Sequence, residues 1–315
     1  MQIREFGEDA LIAAFAEIYR SHDGVEVGIG DDGAIVARVE PRQVITTDIA
    51  TEGVHFNRAW SSARDIGAKV AIANLADIFA MGGEPKYLTV ALSVSGEEEV
   101  SFILDIARGI EEIAHAYQVC VVGGDVVAGQ NLTISITAIG AVAHPVLRSG
   151  VAVGDEIFIT RGTGKSLAGL LLLTKGLASL DSSNVKTFQR PDFHPEDLLE
   201  CGFASMSALM DVSDGLLTDL GRLAKASGVG IDITIDSTQL SYLEELSEQV
   251  NLSALELFLR SGEEHSFIVA VHKEKISKVP QKWIRIGEAT AGGKITLGGK
   301  DLSEITELAE KSWHW

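Results

Sequence analysis

Basic charge and cysteine are both scarce in this chain. Against 45 Asp and Glu stand only 26 Lys and Arg, which gives a formal net charge of −19. An acidic surface repels nucleic-acid phosphates and anionic lipid, so a nucleic-acid binder is a poor first interpretation. The two cysteines, Cys120 and Cys201, lie in apolar surroundings without metal-type spacing. A disulfide framework is therefore excluded, and a reducing compartment is indicated.

Long apolar runs are missing too. No stretch of about 18 apolar residues, the length that a membrane-spanning helix needs, occurs in the sequence. The first residues, MQIREFGEDALIAAFAEIYR, carry acids and lack the basic-then-apolar order of a secretory signal. We therefore expect a protein of the cytoplasm with neither a membrane nor a nucleic-acid partner.

The composition that remains is that of a globular protein, with 46% hydrophobic and 23% charged residues. At roughly 150 residues per domain, 315 residues suffice for two domains. The turn-rich stretch AHPVLRSGVAVGD suggests a boundary near 144, which gives predicted domains of 1–143 and 144–315.

Helix and strand signals alternate in the first half. We expect an amphipathic first helix, strands at 34–39, 43–48 and 86–94, a helix capped by Ser61 or Ser62, and another over 97–117. The second half mixes helices and strands without regular βαβ alternation, so a doubly wound parallel sheet is disfavoured. The predicted fold class is α+β in two domains, the first an α/β domain.

Two glycine motifs imitate nucleotide-binding loops. Gly28, Gly30 and Gly33 spell G-x-G-x-x-G, but Asp31 and Asp32 would repel a pyrophosphate, and a strand-like segment follows instead of a helix.

The segment Gly164-Lys165-Ser166 resembles the end of a P-loop, although Ile159 stands where the first glycine of that motif belongs. We interpret this segment as a glycine turn that opens a helix.

Five short segments place Asp among small residues at the ends of predicted elements, and each taken singly is explained by a cap or a turn. They are GIGDDG (28–33), TTDIATEGVHF (46–56), ANLADIFAMGG (73–83), GGDVV (123–127) and MDVSDGL (210–216). Thr46, Thr47 and Asp48 project from a strand, and Asp77 is predicted to be buried in a helix with little other charge. One predicted helix start has three polar residues close together, Asp211, Ser213 and Asp214. An N-cap uses only one of them, which leaves the others available as ligands.

Converging carboxylates require a counter-charge. Two of them about 4 Å apart repel by about 4 kcal/mol at an effective dielectric near 20. Oxygen ligands without a His or Cys cluster favour Mg²⁺ or Mn²⁺ over Zn²⁺, and Mg²⁺ characteristically bridges to substrate phosphates. The acidic segments therefore indicate metal-dependent phosphoryl transfer.

In this order, the five segments together with RSGVAVGD, SGEEH and the terminal SWHW resemble the thiamine-monophosphate kinase family. This family belongs to the superfamily of aminoimidazole ribonucleotide synthetase and selenophosphate synthetase. The resemblance implies ATP-dependent phosphorylation of thiamine monophosphate to thiamine diphosphate, by direct in-line transfer with several Mg²⁺ ions. It also implies a homodimer, in which the sheet of the N-terminal α/β domain forms a barrel across the two copies, and a C-terminal α+β domain.

The same resemblance implies three sets of site residues. The metal positions are Asp32, Thr46, Thr47, Asp48, Asp77, Asp125, Asp211 and Asp214. The ATP contacts are Gly124, Asp125, Arg148 and Ser213. The substrate contacts are His55, Glu263 and a C-terminal tryptophan, for which we favour Trp313 over Trp315. Glu264, His265 and Lys165 depart from the usual family pattern.

Two alternatives stay open on the sequence alone. One is another ATP-dependent member of the same superfamily, although a selenophosphate synthetase is disfavoured because no cysteine precedes Cys120. The other is a catalytically silent module that binds a nucleotide or metal and serves oligomer assembly.

Overall fold

The computed structural model describes residues 1–29 and 34–302, and for Glu8, Asp9 and Asp301 it describes the backbone alone. The chain divides into two compact units. Unit 1 comprises Met1–Phe79 and Gly83–Ala143, and unit 2 comprises Ala80–Gly82 and the chain from His144 onward. Within the described ranges, none of the helices combines the length and apolar character that crossing a membrane requires.

Unit 1 is a four-stranded sheet with helices and a small two-stranded ribbon. Its elements are α1 (Ile3–Phe6), α2 (Glu8–Ile18), β1 (Val25–Val27), β2 (Ile35–Val36), β3 (Gln43–Thr51), α3 (Ala63–Ala80), β4 (Glu84–Val94), α4 (Val100–Ala116), β5 (Cys120–Ala128) and β6 (Thr133–Ala141). The sheet has the order β3-β6-β4-β5, in which β4 and β5 run parallel and the other neighbours are antiparallel. β1 and β2 form the separate ribbon.

Most predicted elements of unit 1 are present with shifted ends. The strand predicted over 34–39 is wrong in extent, because β2 has only the three-residue β1 as its partner. α4 begins at Val100 and not at 97, since Glu98 uses its carboxylate to accept the backbone N–H groups of Ser95 and Gly96 in a turn. The predicted cap of α3 is confirmed at Ser62, whose Oγ accepts the N–H of Asp65 at 3.1 Å.

The two faces of the unit 1 sheet differ in burial. Side chains alternate between faces along a strand, and the inner face, against which α3 packs, includes the fully buried Leu88, Ile134 and Ile136. On the outer face, Ile45 and Ile49 of β3 are 63% and 59% exposed. The helices thus cover the inner face, and the β3 edge of the outer face stays open.

Helices α3 and α4 approach each other through glycine. A Cβ added to Gly67 would lie 2.0 Å from the carbonyl oxygen of Ile106, and one added to Gly109 would lie 2.0 Å from that of Arg64. Only glycine lets the two backbones touch in this way. The crossing sets the height of α3 above the sheet and therefore positions the polar residues that α3 carries.

Unit 2 combines a seven-stranded sheet with short helices. Its elements are β7 (Glu156–Ile159), α5 (Lys165–Thr174), α6 (Lys186–Gln189), α7 (Glu196–Cys201), β8 (Met206–Asp211), α8 (Leu216–Ser227), β9 (Gly230–Ile233), α9 (Glu244–Val250), α10 (Ala254–Arg260), β10 (Phe267–Val271), β11 (Ile284–Thr290), β12 (Ile295–Leu297) and β13 (Lys300–Asp301). The strand order is β13-β12-β9-β11-β7-β10-β8, and every neighbouring pair is antiparallel except β9 and β12. The mixed α/β content and the lack of βαβ regularity agree with the sequence prediction.

Candidate active site

Strand β3 and helix α3 bring three of the predicted metal residues of unit 1 together. Thr46 and Asp48 are two residues apart on β3 and therefore share the inner face of the sheet. The Oγ1 of Thr46 donates to the Oδ2 of Asp77 at 2.6 Å. Asp77 is half-buried, so the prediction of a buried carboxylate is wrong; the site lies at the edge of the sheet, where solvent reaches the helix face.

Asn74 is a residue of this site that sequence reasoning missed. It is fully buried one turn before Asp77 on α3, and its Oδ1 accepts the backbone N–H of Asp48 at 3.1 Å. Its Nδ2 donates to the carbonyl oxygen of Val70, so the amide is held in one orientation. A polar amide between Ala73 and Leu75, in the largely apolar second half of α3, was the available signal.

Thr47 lies on the opposite face of β3. Its hydroxyl donates to the carbonyl oxygen of Ile136 at 2.9 Å and accepts from the hydroxyl of Thr137 at 3.2 Å. The alternation of the strand thus separates Thr47 from Thr46 and Asp48, which the sequence had grouped as one ligand set.

The predicted nucleotide residues Gly124 and Asp125 line a cleft in unit 1. The cleft has a volume of about 790 Å³ and also includes Phe15 and Tyr19 from the α2 region. A Cβ on Gly124 would lie 1.9 Å from the carbonyl oxygen of Val90, so a side chain there would push β5 away from β4. Asp125 is exposed, and its Oδ1 accepts the N–H of the next residue at 2.9 Å. The cleft is large enough for a nucleotide-sized ligand.

His55 lies in the turn that follows β3. Its Nδ1 accepts the backbone N–H of Thr51 at 3.1 Å. This hydrogen bond places the ring proton of neutral His55 on Nε2, which makes the Nε2 edge a hydrogen-bond donor.

In unit 2, Asp211 and the loop that follows it lead into α8. Asp211 ends β8, is 5% exposed, and has its Oδ2 3.3 Å from the Nδ1 of His265. α8 begins after Gly215, whose φ of 116° requires glycine, and among the described residues no side chain caps this helix. The predicted capping role at this helix start is therefore wrong.

The loop is instead held by the side chain of Asp219 in α8, a second residue that sequence reasoning missed. The Oδ2 of Asp219 accepts the backbone N–H groups of Ser213 and Asp214 at 2.9 and 3.0 Å. Burial, followed by the nearby charge of Asp211, raises the pKa of Asp219 to about 7, although Arg222 at 2.8 Å opposes the shift. A carboxylate inside the apolar stripe of α8 was the signal that marks it.

Glu263 follows in the loop 261–266, which packs against the Ser213 loop. Its backbone N–H donates to the carbonyl oxygen of Ser213 at 2.7 Å, and the residue is 8% exposed with a φ of 54°. Arg148 is exposed, and its carbonyl oxygen accepts the hydroxyl of Ser227, the last residue of α8, at 2.9 Å. Unit 2 thus brings Glu263 close to Ser213, whereas the backbone of Arg148 is attached to the far end of α8.

The P-loop-like segment opens helix α5, as the sequence predicted. Gly164 has a φ of 116°, and the N–H groups of Gly164 and Ser166 donate to the Oε1 of Glu264 at 2.8 and 2.9 Å. The position at which a P-loop binds phosphate is therefore occupied by the protein's own carboxylate.

Several predicted residues lie outside the described part of the chain. They are Asp32 of the metal set, Trp313 and its alternative Trp315, and Gly30 and Gly33 of the glycine motif.

The chemistry of the oxygen donors fits a magnesium ion. Among the described side chains, no three His, Cys, Asp or Glu residues are grouped as a ready metal site. Thr46, Asp48 and Asp77 offer two carboxylates and a hydroxyl on adjacent elements. Mg²⁺ is usually bound by one or two carboxylates, with waters and substrate phosphates as its other ligands. These residues therefore suit an ion that arrives with a phosphorylated substrate.

Both halves of the chain match known domain families. The family model "AIR synthase related protein, N-terminal domain" matches residues 30–142, and "AIR synthase related protein, C-terminal domain" matches residues 152–300. The thiamine-monophosphate kinase of Corynebacterium glutamicum is 35% identical over 277 residues, which cover 83% of this chain and 81% of that protein.

Two solved structures have the same fold along nearly the whole chain. The thiamine-monophosphate kinase from Stenotrophomonas maltophilia K279a has a TM-score of 0.79 at 28% identity, and the match covers 93% of this chain and 96% of that one. AaThiL complexed with AMPPCP and TMP has a TM-score of 0.77 at 28% identity, covering 99% and 98%. Since two domain families match in order and a kinase relative is similar over most of both chains, the chain belongs to the thiamine-monophosphate kinase family.

Proposed function

We propose that this kinase transfers the γ-phosphoryl group of ATP to the phosphate of thiamine monophosphate. A phosphate oxygen of thiamine monophosphate attacks the γ-phosphorus in line, the bond to the β,γ-bridging oxygen breaks, and ADP leaves as thiamine diphosphate forms. The observation that carries the proposal is the similarity to AaThiL, which was solved with AMPPCP and TMP and matches 99% of this chain.

The reaction joins two anionic groups, so catalysis consists mainly of charge neutralisation and positioning. Bound Mg²⁺ ions would neutralise the phosphate oxygens. In unit 1, Thr46, Asp48 and Asp77 present their oxygens from adjacent elements, which supports their role as ligands. The complete proposed metal set, which would hold several ions, is Asp32, Thr46, Thr47, Asp48, Asp77, Asp125, Asp211 and Asp214. Because Thr47 lies on the opposite face of β3, it would bind a different ion from the one that Thr46 and Asp77 bind.

The proposed ATP contacts are Gly124, Asp125, Arg148 and Ser213. Gly124 and Asp125 line the cleft of about 790 Å³, and the carbonyl oxygen of Val90 occupies the space that a side chain at Gly124 would need. Arg148 is exposed and has the fork geometry that binds a phosphate through two parallel hydrogen bonds.

The proposed thiamine contacts are His55, Glu263 and Trp313. Thiamine carries a flat cationic ring, for which a carboxylate and an aromatic face are complementary partners. The Nε2 edge of His55 is a hydrogen-bond donor, which suits the substrate phosphate.

In the proposed enzyme, two copies pair through the open outer face of the unit 1 sheet to form a barrel. The exposure of Ile45 and Ile49 on β3 supports this arrangement. Apolar side chains of this size, neighbours on one strand face, are typical of a surface that a second protein covers.

The proposal is tested by incubating the protein with ATP, Mg²⁺ and thiamine monophosphate and measuring thiamine diphosphate by chromatography. We expect turnover in the wild type and a loss of about 10²-fold or more in kcat for Asp48→Asn and Asp211→Asn, by analogy with the removal of one transition-state partner. Asp105→Asn is the matched control, because this exposed carboxylate pairs only with Arg108 in the described chain and should leave kcat unchanged.

Two results would overturn the proposal. A wild type that binds ATP with Mg²⁺ but forms no thiamine diphosphate would identify a silent nucleotide-binding module. Near wild-type kcat in both folded aspartate variants, verified by circular dichroism, would show that the metal set is misassigned.

A further inference from the structure

Glu264 stands beside the proposed thiamine contact Glu263 and is itself buried, at 4% exposure. Its Oε1 atom accepts three hydrogen bonds, from the N–H of Gly164 at 2.8 Å, the N–H of Ser166 at 2.9 Å and the hydroxyl of Ser261 at 2.6 Å. A carboxylate at a helix N-terminus is stabilised by the unpaired N–H groups and by the helix dipole. Glu264 thus binds the loop 261–266 to the start of α5.

Ser261 completes this attachment. Its Oγ accepts the N–H of Leu167 at 3.0 Å while its proton goes to Glu264. Two side chains of the loop therefore satisfy three N–H groups around the first turn of α5.

The backbone of the same loop is attached on its other side to the loop that follows β8. The N–H of Glu263 donates to the carbonyl oxygen of Ser213 at 2.7 Å, and the N–H of His265 donates to that of Val212 at 3.0 Å. The loop is consequently held between α5 and the Val212–Ser213 segment, with Glu264 as its attachment to α5.

The loop also contains local backbone strain. Glu263 and His265 have φ values of 54° and 50°, the left-handed region that non-glycine residues rarely adopt. Such backbone conformations are strained and persist only when surrounding contacts enforce them. Without the bonds of Glu264, the backbone of Glu263 would be able to relax toward an ordinary conformation, and its carboxylate would move.

We propose that Glu264 is a positioning residue for the thiamine contact, which sets the backbone of Glu263 by binding the first turn of α5. This inference rests on the proposed function. A simple helix cap at this position would stabilise α5 but would have no specific effect on KM for thiamine monophosphate.

A double-mutant cycle separates the two roles. We expect Glu264→Ala to raise KM for thiamine monophosphate about tenfold, while KM for ATP stays within about twofold, because only the Glu263 contact is displaced. In a Glu263→Ala background the same change should have an effect of less than about twofold, since the contact is already lost. Glu264→Gln should restore KM to within about threefold of the wild type, because its Oε1 accepts the same three hydrogen bonds.

Asp236→Ala is the matched control. Asp236 also accepts a backbone N–H and a hydroxyl, both from Thr238 at 2.9 Å, at the start of the short 3₁₀ helix Ser237–Leu243. Losing Asp236 should lower Tm, as the loss of a helix cap does, without changing either KM.

The inference fails if Glu264→Ala, in an active and folded protein, changes both KM values alike or adds its full effect to that of Glu263→Ala. If Glu264→Ala does not fold, Glu264→Asp replaces it in the cycle. The shorter side chain retains the carboxylate but moves its oxygens away from the three hydrogen-bond donors. A wild type without any thiamine diphosphate formation contradicts the proposed function itself and is recognised before any variant is compared.

Discussion

The crossing of α3 and α4 permits a prediction whose sign depends on two opposing energies. In Gly109→Ala, the higher helix propensity of alanine favours the variant by about 1 kcal/mol. The new Cβ, however, would lie 2.0 Å from the carbonyl oxygen of Arg64 and 3.0 Å from the backbone nitrogen of Ala68. Both obstacles are backbone atoms of α3, so no side-chain rotation relieves the contact and the helices must separate.

Overpacking of this kind costs about 1–3 kcal/mol, and more where backbone must move. Because backbone atoms obstruct the Cβ at Gly109, the clash is taken at the upper end of this range, about 3 kcal/mol. After the propensity gain of about 1 kcal/mol, we expect a net loss of about 2 kcal/mol in the free energy of unfolding. Gly67→Ala meets the carbonyl oxygen of Ile106 at the same 2.0 Å and should behave alike. Because α3 carries Asn74 and Asp77, kinase activity should fall as well.

Gly221→Ala is the matched control in α8. A Cβ at this position meets no heavy atom of the described chain within 4 Å, so only the propensity gain of about 1 kcal/mol remains. In calorimetry or circular dichroism, at about 2 °C per kcal/mol for a chain of this size, Gly109→Ala should lower Tm by several degrees and Gly221→Ala should raise it slightly. A Tm for Gly109→Ala equal to or above that of Gly221→Ala would refute the backbone contact.

Two further predictions concern unit 2 and the cysteines. Asp197 is 1% exposed, and although burial opposes its charge, an ion pair with Lys282 at 2.7 Å and a hydrogen bond from Arg161 at 2.8 Å hold its pKa below the ordinary 3.8. The stabilisation from charged Asp197 is present above pH 3.8 and is lost as the pH falls through the lowered pKa, so Asp197→Asn should lower Tm at pH 7, and this difference should shrink as the pH is lowered below 3.8. Burial raises the thiol pKa of both Cys120 and Cys201. Ellman's reagent should therefore label two thiols per chain in urea and react far more slowly with the native protein. Rapid labelling of the native protein would contradict the burial of the two thiols.

Residue types and their order in the chain are sufficient to identify the family. The acidic segments lie far apart in sequence, yet their shared composition by itself indicates phosphoryl transfer with a hard cation. Helix α3 is predictable from its Ser62 cap and its apolar length, and the turn that precedes α5 from its glycines. These are local properties, which propensity and capping rules describe well.

The arrangement of the candidate site depends on contacts that no local pattern encodes. Thr46 and Asp48 share a face with Asp77, whereas Thr47 lies on the other, because strand alternation divides neighbours that a motif groups. The position of Asp219 in the apolar stripe of α8 marks it as unusual, but the backbone N–H groups of Ser213 and Asp214 that it accepts carry no sequence signature.

Glu264 shows most clearly the division between sequence and tertiary structure. In the sequence, Glu264 is a departure from a family pattern, next to a proposed substrate contact. Its hydrogen-bond donor Ser166 lies 98 residues away in the chain, so the sequence does not reveal their contact. The amino-acid sequence alone determined the fold class and the kind of chemistry, because these follow from composition, order and local propensity, and its ordered motifs carried the resemblance to the family. Only the tertiary structure decided which residues meet and which carboxylates serve as internal anchors, since hydrogen bonds between distant segments depend on how the sheet and helices pack.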